Sequence, residues 1–166
     1  ANAADPHHGP DNTVIKPGDA VLFDVGCIKD GYCSDMTRTF YFQRASEEHR
    51  RIYDIVRSAN ETAISKIRPG IPLCELDKTA RDLITEQGYG PFFTHRLGHF
   101  IGLGEHEFGD VSSVNTQKAE PGMIFSIEPG IYLAGDTGVR VEDLVLVTED
   151  GCEVLNHDSK EFEIIG

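Results

Sequence analysis

The chain has 166 residues, 39% of them apolar and 26% charged, enough for one domain with a sizeable core and unlike a disordered segment. Asp and Glu number 28 against 15 Lys and Arg, a formal charge of −13, so no nucleic acid and no anionic membrane is expected as a partner. No run reaches the length of a membrane span and no signal-peptide pattern opens the chain, so a cytoplasmic location is expected.

Residues 1–17, which include Pro6-His7-His8-Gly9-Pro10, are rich in Pro, Asn, Asp and Gly and read mostly as loop. Ala20 to Val25 and Tyr32 to Tyr41 read as two strands, with Asp30-Gly31 between them as a two-residue hairpin turn. Ser46 caps a predicted helix that begins with Glu47-Glu48 and carries Ile52, Ile55, Val56, Ala59, Ala63 and Ile64 at helical spacing, up to Pro69-Gly70. A second helix places Leu73, Leu76, Ala80, Leu83 and Ile84 on one face and ends at Gly88. Both stripes are core.

A glycine- and histidine-rich stretch follows from Thr94 to Glu107. Met123 to Glu128 and Gly138 to Val147 read as strands, with Thr148 to Gly151 as a turn. Cys27, Cys33, Cys74 and Cys152 form no C-x-x-C pair and no zinc spacing, so they read as small core residues in a reducing compartment. The fold class is α+β: an antiparallel sheet with helices segregated to one side.

The turn fixes a register. If Lys29 faces Tyr32, Asp24 lies opposite Thr37, and Asp24 and Asp35 project from the same face as diagonal neighbours. Either acid alone fits a solvent-facing edge. Two acids within apolar strands cannot both stay ionised and buried without a counter-charge, which a metal supplies. Glu128 ends another apolar strand, and Arg140 and Glu142 share one face of the next, where a plain ion pair is the competing reading. His95 and His99 stand four apart, a spacing that is weak by itself, and His106 follows. Four carboxylates and one imidazole suit Mn, Co, Fe or Zn better than a closed structural zinc site.

In order, Asp24, Asp35, His99, Glu128 and Glu142 resemble the five-ligand signature of the pita-bread (creatinase/aminopeptidase-like) metallopeptidases, which include methionine aminopeptidase, aminopeptidase P and prolidase. The flanks agree: Phe23-Asp24-Val25-Gly26, Ser34-Asp35-Met36-Thr37-Arg38-Thr39-Phe40, His95-Arg96-Leu97-Gly98-His99, Ile127-Glu128-Pro129-Gly130 and Arg140-Val141-Glu142-Asp143. His7, His95, His106 and Arg140 fall where the proline-specific branch places its substrate-handling residues. Methionine aminopeptidases usually lack this Arg before the last Glu, and creatinases lack the ligand set. Phe100, the neighbours of His106 and Leu144 depart from the family pattern, which bears on pocket shape and substrate range.

The resemblance implies a curved antiparallel sheet with helices on its outer face, residues 1–166 forming the C-terminal, metal-binding portion of a catalytic domain that lacks its N-terminal portion. It implies two divalent metal ions, manganese first and Co, Zn or Fe as alternatives. By the same resemblance, Asp24 would bind one, His99 and Glu128 the other, with Asp35 and Glu142 bridging both. The implied reaction is hydrolysis of the Xaa-Pro bond, in dipeptides or at peptide N-termini, by a metal-bridging hydroxide. In the roles the resemblance implies, Glu128 would shuttle the proton and His106 would stabilise the oxyanion, while His7, His95 and Arg140 would orient the proline-containing peptide. A homodimer or a companion N-terminal segment is the expected protein partner, against an unpaired sheet edge. The alternatives are a non-catalytic peptidase-like binding module and a methionine aminopeptidase.

Overall fold

Asp30 and Gly31 both take positive φ, at 53° and 88°, the left-handed pair that a tight hairpin turn requires. They join β1 (Ala20–Lys29) to β2 (Tyr32–Phe42) in a computed structural model that describes residues 2–166. The register is the expected one: Lys29 faces Tyr32 and Asp24 faces Thr37. β1 is one edge of this sheet, and β2 is flanked on its other side by the parallel strand β10 (Ile164–Ile165). Phe23, Val25 and Ile28 of β1 are exposed.

The helix α1 (Glu47–Ser65) starts as expected, with the Ser46 hydroxyl accepting from the His49 amide. α2 (Leu73–Glu86) follows and packs against α1. Their apolar stripes join residues of the strands in one core around Ile52, Val56, Leu76, Phe125, Ile127 and Val145.

The remaining strands are short. β3 (Gly98–His99) pairs with β4 (Asp110–Val111), β5 (Ile124–Ile127) with β8 (Asp143–Val147), and β6 (Gly130–Leu133) with β7 (Thr137–Arg140). β9 (Cys152–Val154) adds to the far side of β8. α1 rests on β5, β6 and β7, so the helices cover one side of these strands.

Two expectations are corrected. The apolar run Gly138 to Val147 is two strands, because the chain changes partner at Val141-Glu142, from β6 to β5. Pro129, which has no N–H to give a ladder, marks the matching break between β5 and β6. Cysteine is the other case. All four thiols are free, but Cys27 is exposed and Cys33, Cys74 and Cys152 are only half-buried, so none belongs to the fully buried core. Cys27 lies on the edge strand β1, where nothing among the described residues covers it. No described helix is long and apolar enough to cross a membrane.

Candidate metal centre

His99 is placed from both sides of its strand. On α2, the buried Asp77 pairs with Arg81, whose guanidinium donates to the carbonyls of Phe93 and His95, while Asp77 accepts from the Leu97 amide. This fixes the approach to β3. Gly98 then lets β3 press against β5, since a Cβ there would stand 1.9 Å from the Ser126 carbonyl oxygen. The His99 amide donates to the Ser126 hydroxyl at 2.9 Å, and that hydroxyl donates to Glu128 Oε1 at 3.1 Å.

The hairpin brings Asp35 to the same place. His99 Nε2 lies 3.5 Å from Asp35 Oδ2 and 3.6 Å from Glu128 Oε1. One donor atom each from Asp35, His99 and Glu142 lies within 4.8 Å of the others, and all three residues are buried. Glu142 Oε2 accepts from the Thr37 hydroxyl at 2.6 Å. The competing ion pair of Arg140 with Glu142 does not form; Arg140 Nη2 instead donates to Asp24 Oδ2 at 2.6 Å. Asp24 therefore sits at the rim, its side chain half exposed, outside the tight group.

The electrostatics call for a cation. Burial, then the charges of Glu128 and Asp35, holds the Glu142 carboxyl well above its ordinary pKa. Burial likewise raises Glu128, and burial raises Asp24 despite the opposing charge of Arg140. Burial opposes charge on His99, yet Asp35 and Glu128 lift its pKa above the usual value. Among the described residues, the ion pairs of Asp35 and Glu128 are with His99, and Glu142 has none. His99 Nδ1 faces the Phe100 carbonyl at 3.2 Å; donating there, it leaves the Nε2 lone pair toward the carboxylates. Oxygen donors in excess, one open imidazole nitrogen and a buried Glu142 without an ion-pair partner among the described residues fit one or more divalent ions.

The residues expected to handle substrate lie mainly around Arg140. Its Nη1 donates to the Pro6 carbonyl and to the Tyr132 hydroxyl, both at 3.1 Å, and its Nε donates to the Thr37 hydroxyl. Tyr132 in turn meets His95 Nε2 at 2.9 Å, while His95 Nδ1 meets the Arg96 carbonyl. Burial lowers the His95 pKa to about 4, so the ring is neutral with Nδ1 protonated and Tyr132 donating to Nε2. His7 is exposed beside Pro6, in an open cleft of about 1200 Å³ whose walls also include Asp24, Asp35 and Arg140. His106 is exposed with its ring 4.0 Å from that of His99, and partial burial followed by the His99 charge lowers its pKa. Phe100 packs on Phe125 and Leu144 is buried on β8.

Thr37 and Tyr132 are the residues that sequence reasoning missed. Thr37 was placed opposite Asp24, and the same parity aims its hydroxyl at the acids. Tyr132 carried no signal, because the strand β6 was not foreseen.

The family model for metallopeptidase family M24 matches residues 1–149. An uncharacterized peptidase of Staphylococcus aureus is 53% identical over 159 residues, which are 96% of this chain and 45% of that protein. The crystal structure of a prolidase from Thermococcus sibiricus superposes with a TM-score of 0.97 at 44% identity, over 99% of this chain and 45% of that one. A Xaa-Pro dipeptidase from Bacillus anthracis gives 0.96 at 42% identity, over 98% of this chain and 46% of that one. The chain thus spans a little under half the length of the relatives it matches. Its four acids and one histidine in order, the convergence of Asp35, His99 and Glu142 and these likenesses have one meaning: the chain belongs to metallopeptidase family M24 and has the pita-bread fold.

Proposed function

We propose that the protein carrying this chain hydrolyses the Xaa-Pro peptide bond, in dipeptides or at the N-termini of short peptides. The observation that carries this is the convergence of Asp35, His99 and Glu142, with Glu128 against His99, in a family whose matched structures include a prolidase and a Xaa-Pro dipeptidase. Asp24, Asp35, His99, Glu128 and Glu142 would hold two divalent ions, manganese first. When bound, they supply Lewis-acid charge and lower the pKa of the attacking water.

The chain's own residues do the rest. Glu128, whose burial favours the protonated form, is suited to take a proton and return it to the leaving proline nitrogen. His106, beside His99 and open to the solvent side, is suited to donate to the developing oxyanion. Neutral His95, held by Tyr132, and Arg140 orient the substrate, with His7 at the cleft wall. The test is an assay of the native protein, stripped of metal and reloaded with Mn, Co or Zn, on Xaa-Pro dipeptides and longer Xaa-Pro peptides. Met-Ala peptides serve as the control. Metal-dependent cleavage confined to Xaa-Pro is expected; cleavage of Met-Ala alone would replace the reading with a methionine aminopeptidase.

A further inference from the structure

Glu128 and Glu142 sit where their strands stop pairing. The Glu128 amide leaves the ladder to donate to the Leu97 carbonyl, and the Glu142 amide donates to the Thr37 carbonyl. The N–H end of the peptide plane that leads into either acid is thus held from outside its own ladder. A side chain reaches the carbonyl end. Asn60, fully buried in the middle of α1, donates from Nδ2 to the Ile127 carbonyl at 2.8 Å and reaches the Val141 carbonyl at 3.4 Å. These are the carbonyls just before Glu128 and Glu142. One amide group spans both planes.

Asn60 is itself held from the C-terminal side. Lys160 Nζ donates to Asn60 Oδ1 at 3.0 Å and to Asp143 Oδ2 at 2.8 Å. Asp143, fully buried, accepts at its other oxygen from Arg38 Nη2 at 2.7 Å. Arg38 Nη1 donates to the Glu142 carbonyl at 2.6 Å, and the guanidinium is completed by the carbonyls of Asp158 and Ser159. Asn156 bridges the Asp35 carbonyl and the Leu144 amide.

We infer that Asn60 and Lys160, with Asn156 beside them, form a polar clasp behind the sheet that positions Asp35, Glu128 and Glu142 for metal binding. The inference rests on the metal-centre reading above. Asn60 and Lys160 are positioning residues: neither side chain is among the candidate ligands, Asn60 acts on the peptide planes that lead into two of them, and Lys160 acts through Asn60 and Asp143. A side chain leaves its backbone in a direction set by the adjacent peptide planes, and a binding constellation loses function when displaced by about 0.5–1 Å. The clasp's donors and acceptors are matched, so loss of Lys160 leaves Asp143 with one cation and Asn60 free to turn.

The experiment uses the native protein, stripped of metal, with manganese binding followed by calorimetry and melting of the metal-free form followed in parallel. Asn60→Asp keeps the acceptor for Lys160 but removes the donor to both carbonyls; Lys160→Met removes the charge, and Lys160→Arg restores it. Expected are a weakening of manganese affinity of about 10- to 100-fold in Asn60→Asp and Lys160→Met, with recovery in Lys160→Arg. On an Xaa-Pro dipeptide, kcat should fall while KM holds. If Asn60→Asp does not fold, the two Lys160 variants carry the test. Wild-type affinity in Lys160→Met, with only the metal-free melting lowered, would overturn the clasp while leaving the metal centre standing. No manganese, cobalt or zinc binding by the wild type would overturn both.

Discussion

The four acids of the candidate site are aimed by two different devices. Asp24 and Asp35 lie within a regular hairpin, where side-chain alternation and a two-residue turn put them on one face. Glu128 and Glu142 lie at interruptions, where β5 gives way to β6 and β7 to β8, and their amides bond outside their own ladders. The hairpin leaves Asp24 half exposed and paired with Arg140, whereas the interruption buries Glu142 almost wholly, with Thr37 as its hydrogen-bond donor. Asp35, the other hairpin acid, is nevertheless buried against His99, so burial follows what packs over a strand rather than its pairing. What broken pairing changes is the backbone, which groups outside the ladder must hold.

The largest expected effect comes from the interrupted side. Glu142→Ala should abolish Xaa-Pro hydrolysis and lower the metal content, because the remaining acids then repel one another around a poorly held ion. Metal analysis beside the activity assay checks it. Arg140→Ala acts at the hairpin rim, where it breaks the contacts to Asp24 and Tyr132. Turnover should fall about 100-fold with metal content largely kept, as expected for misplaced groups. Equal metal loss in both variants would erase the distinction between rim and interior.

Thr37→Val probes the seam between the two devices, since that hydroxyl serves Glu142 and accepts from Arg140. A loss of about 1–3 kcal/mol in denaturant stability is expected, because a buried acceptor is left unsatisfied. The effect that is smallest at neutral pH is that of protonation. The folded His95 has a pKa of about 4 against an ordinary 6.5, so between these values the unfolded chain binds a proton that the folded chain does not. Its contribution is present above pH 6.5 and lost as pH falls toward about 4. His95→Gln should flatten that part of the stability profile, measured by thermal melts at a series of pH values.

The same contrast explains what was legible in the sequence. The hairpin register followed from Asp30-Gly31, and both helices followed from their apolar period and from Ser46 and Pro69-Gly70. The interruptions did not. Gly138 to Val147 reads as one apolar strand because a change of partner leaves no mark in hydrophobic alternation. Asn60, Asn156 and Lys160 carry no local signal in the sequence, because the partners that give them a role lie about 70 to 120 residues away. The cysteines were misjudged for a related reason: strand membership says nothing of whether a strand is central or at an edge.

The contact between Thr37 and Glu142 spans 105 residues of chain, and this orders the events of folding. The β1–β2 hairpin closes on a two-residue turn and can form within about 1–10 μs, setting Asp24 and Asp35 side by side while both are still hydrated. Contacts of long sequence separation arrive later, because the loop must close before they are gained. Repulsion among the acids grows only at that last step, when Glu128 and Glu142 swing in and water leaves. A partly folded chain therefore offers an ion nothing better than two surface aspartates. Native topology and metal competence appear together, and an ion present at that moment favours the same closure that creates its site.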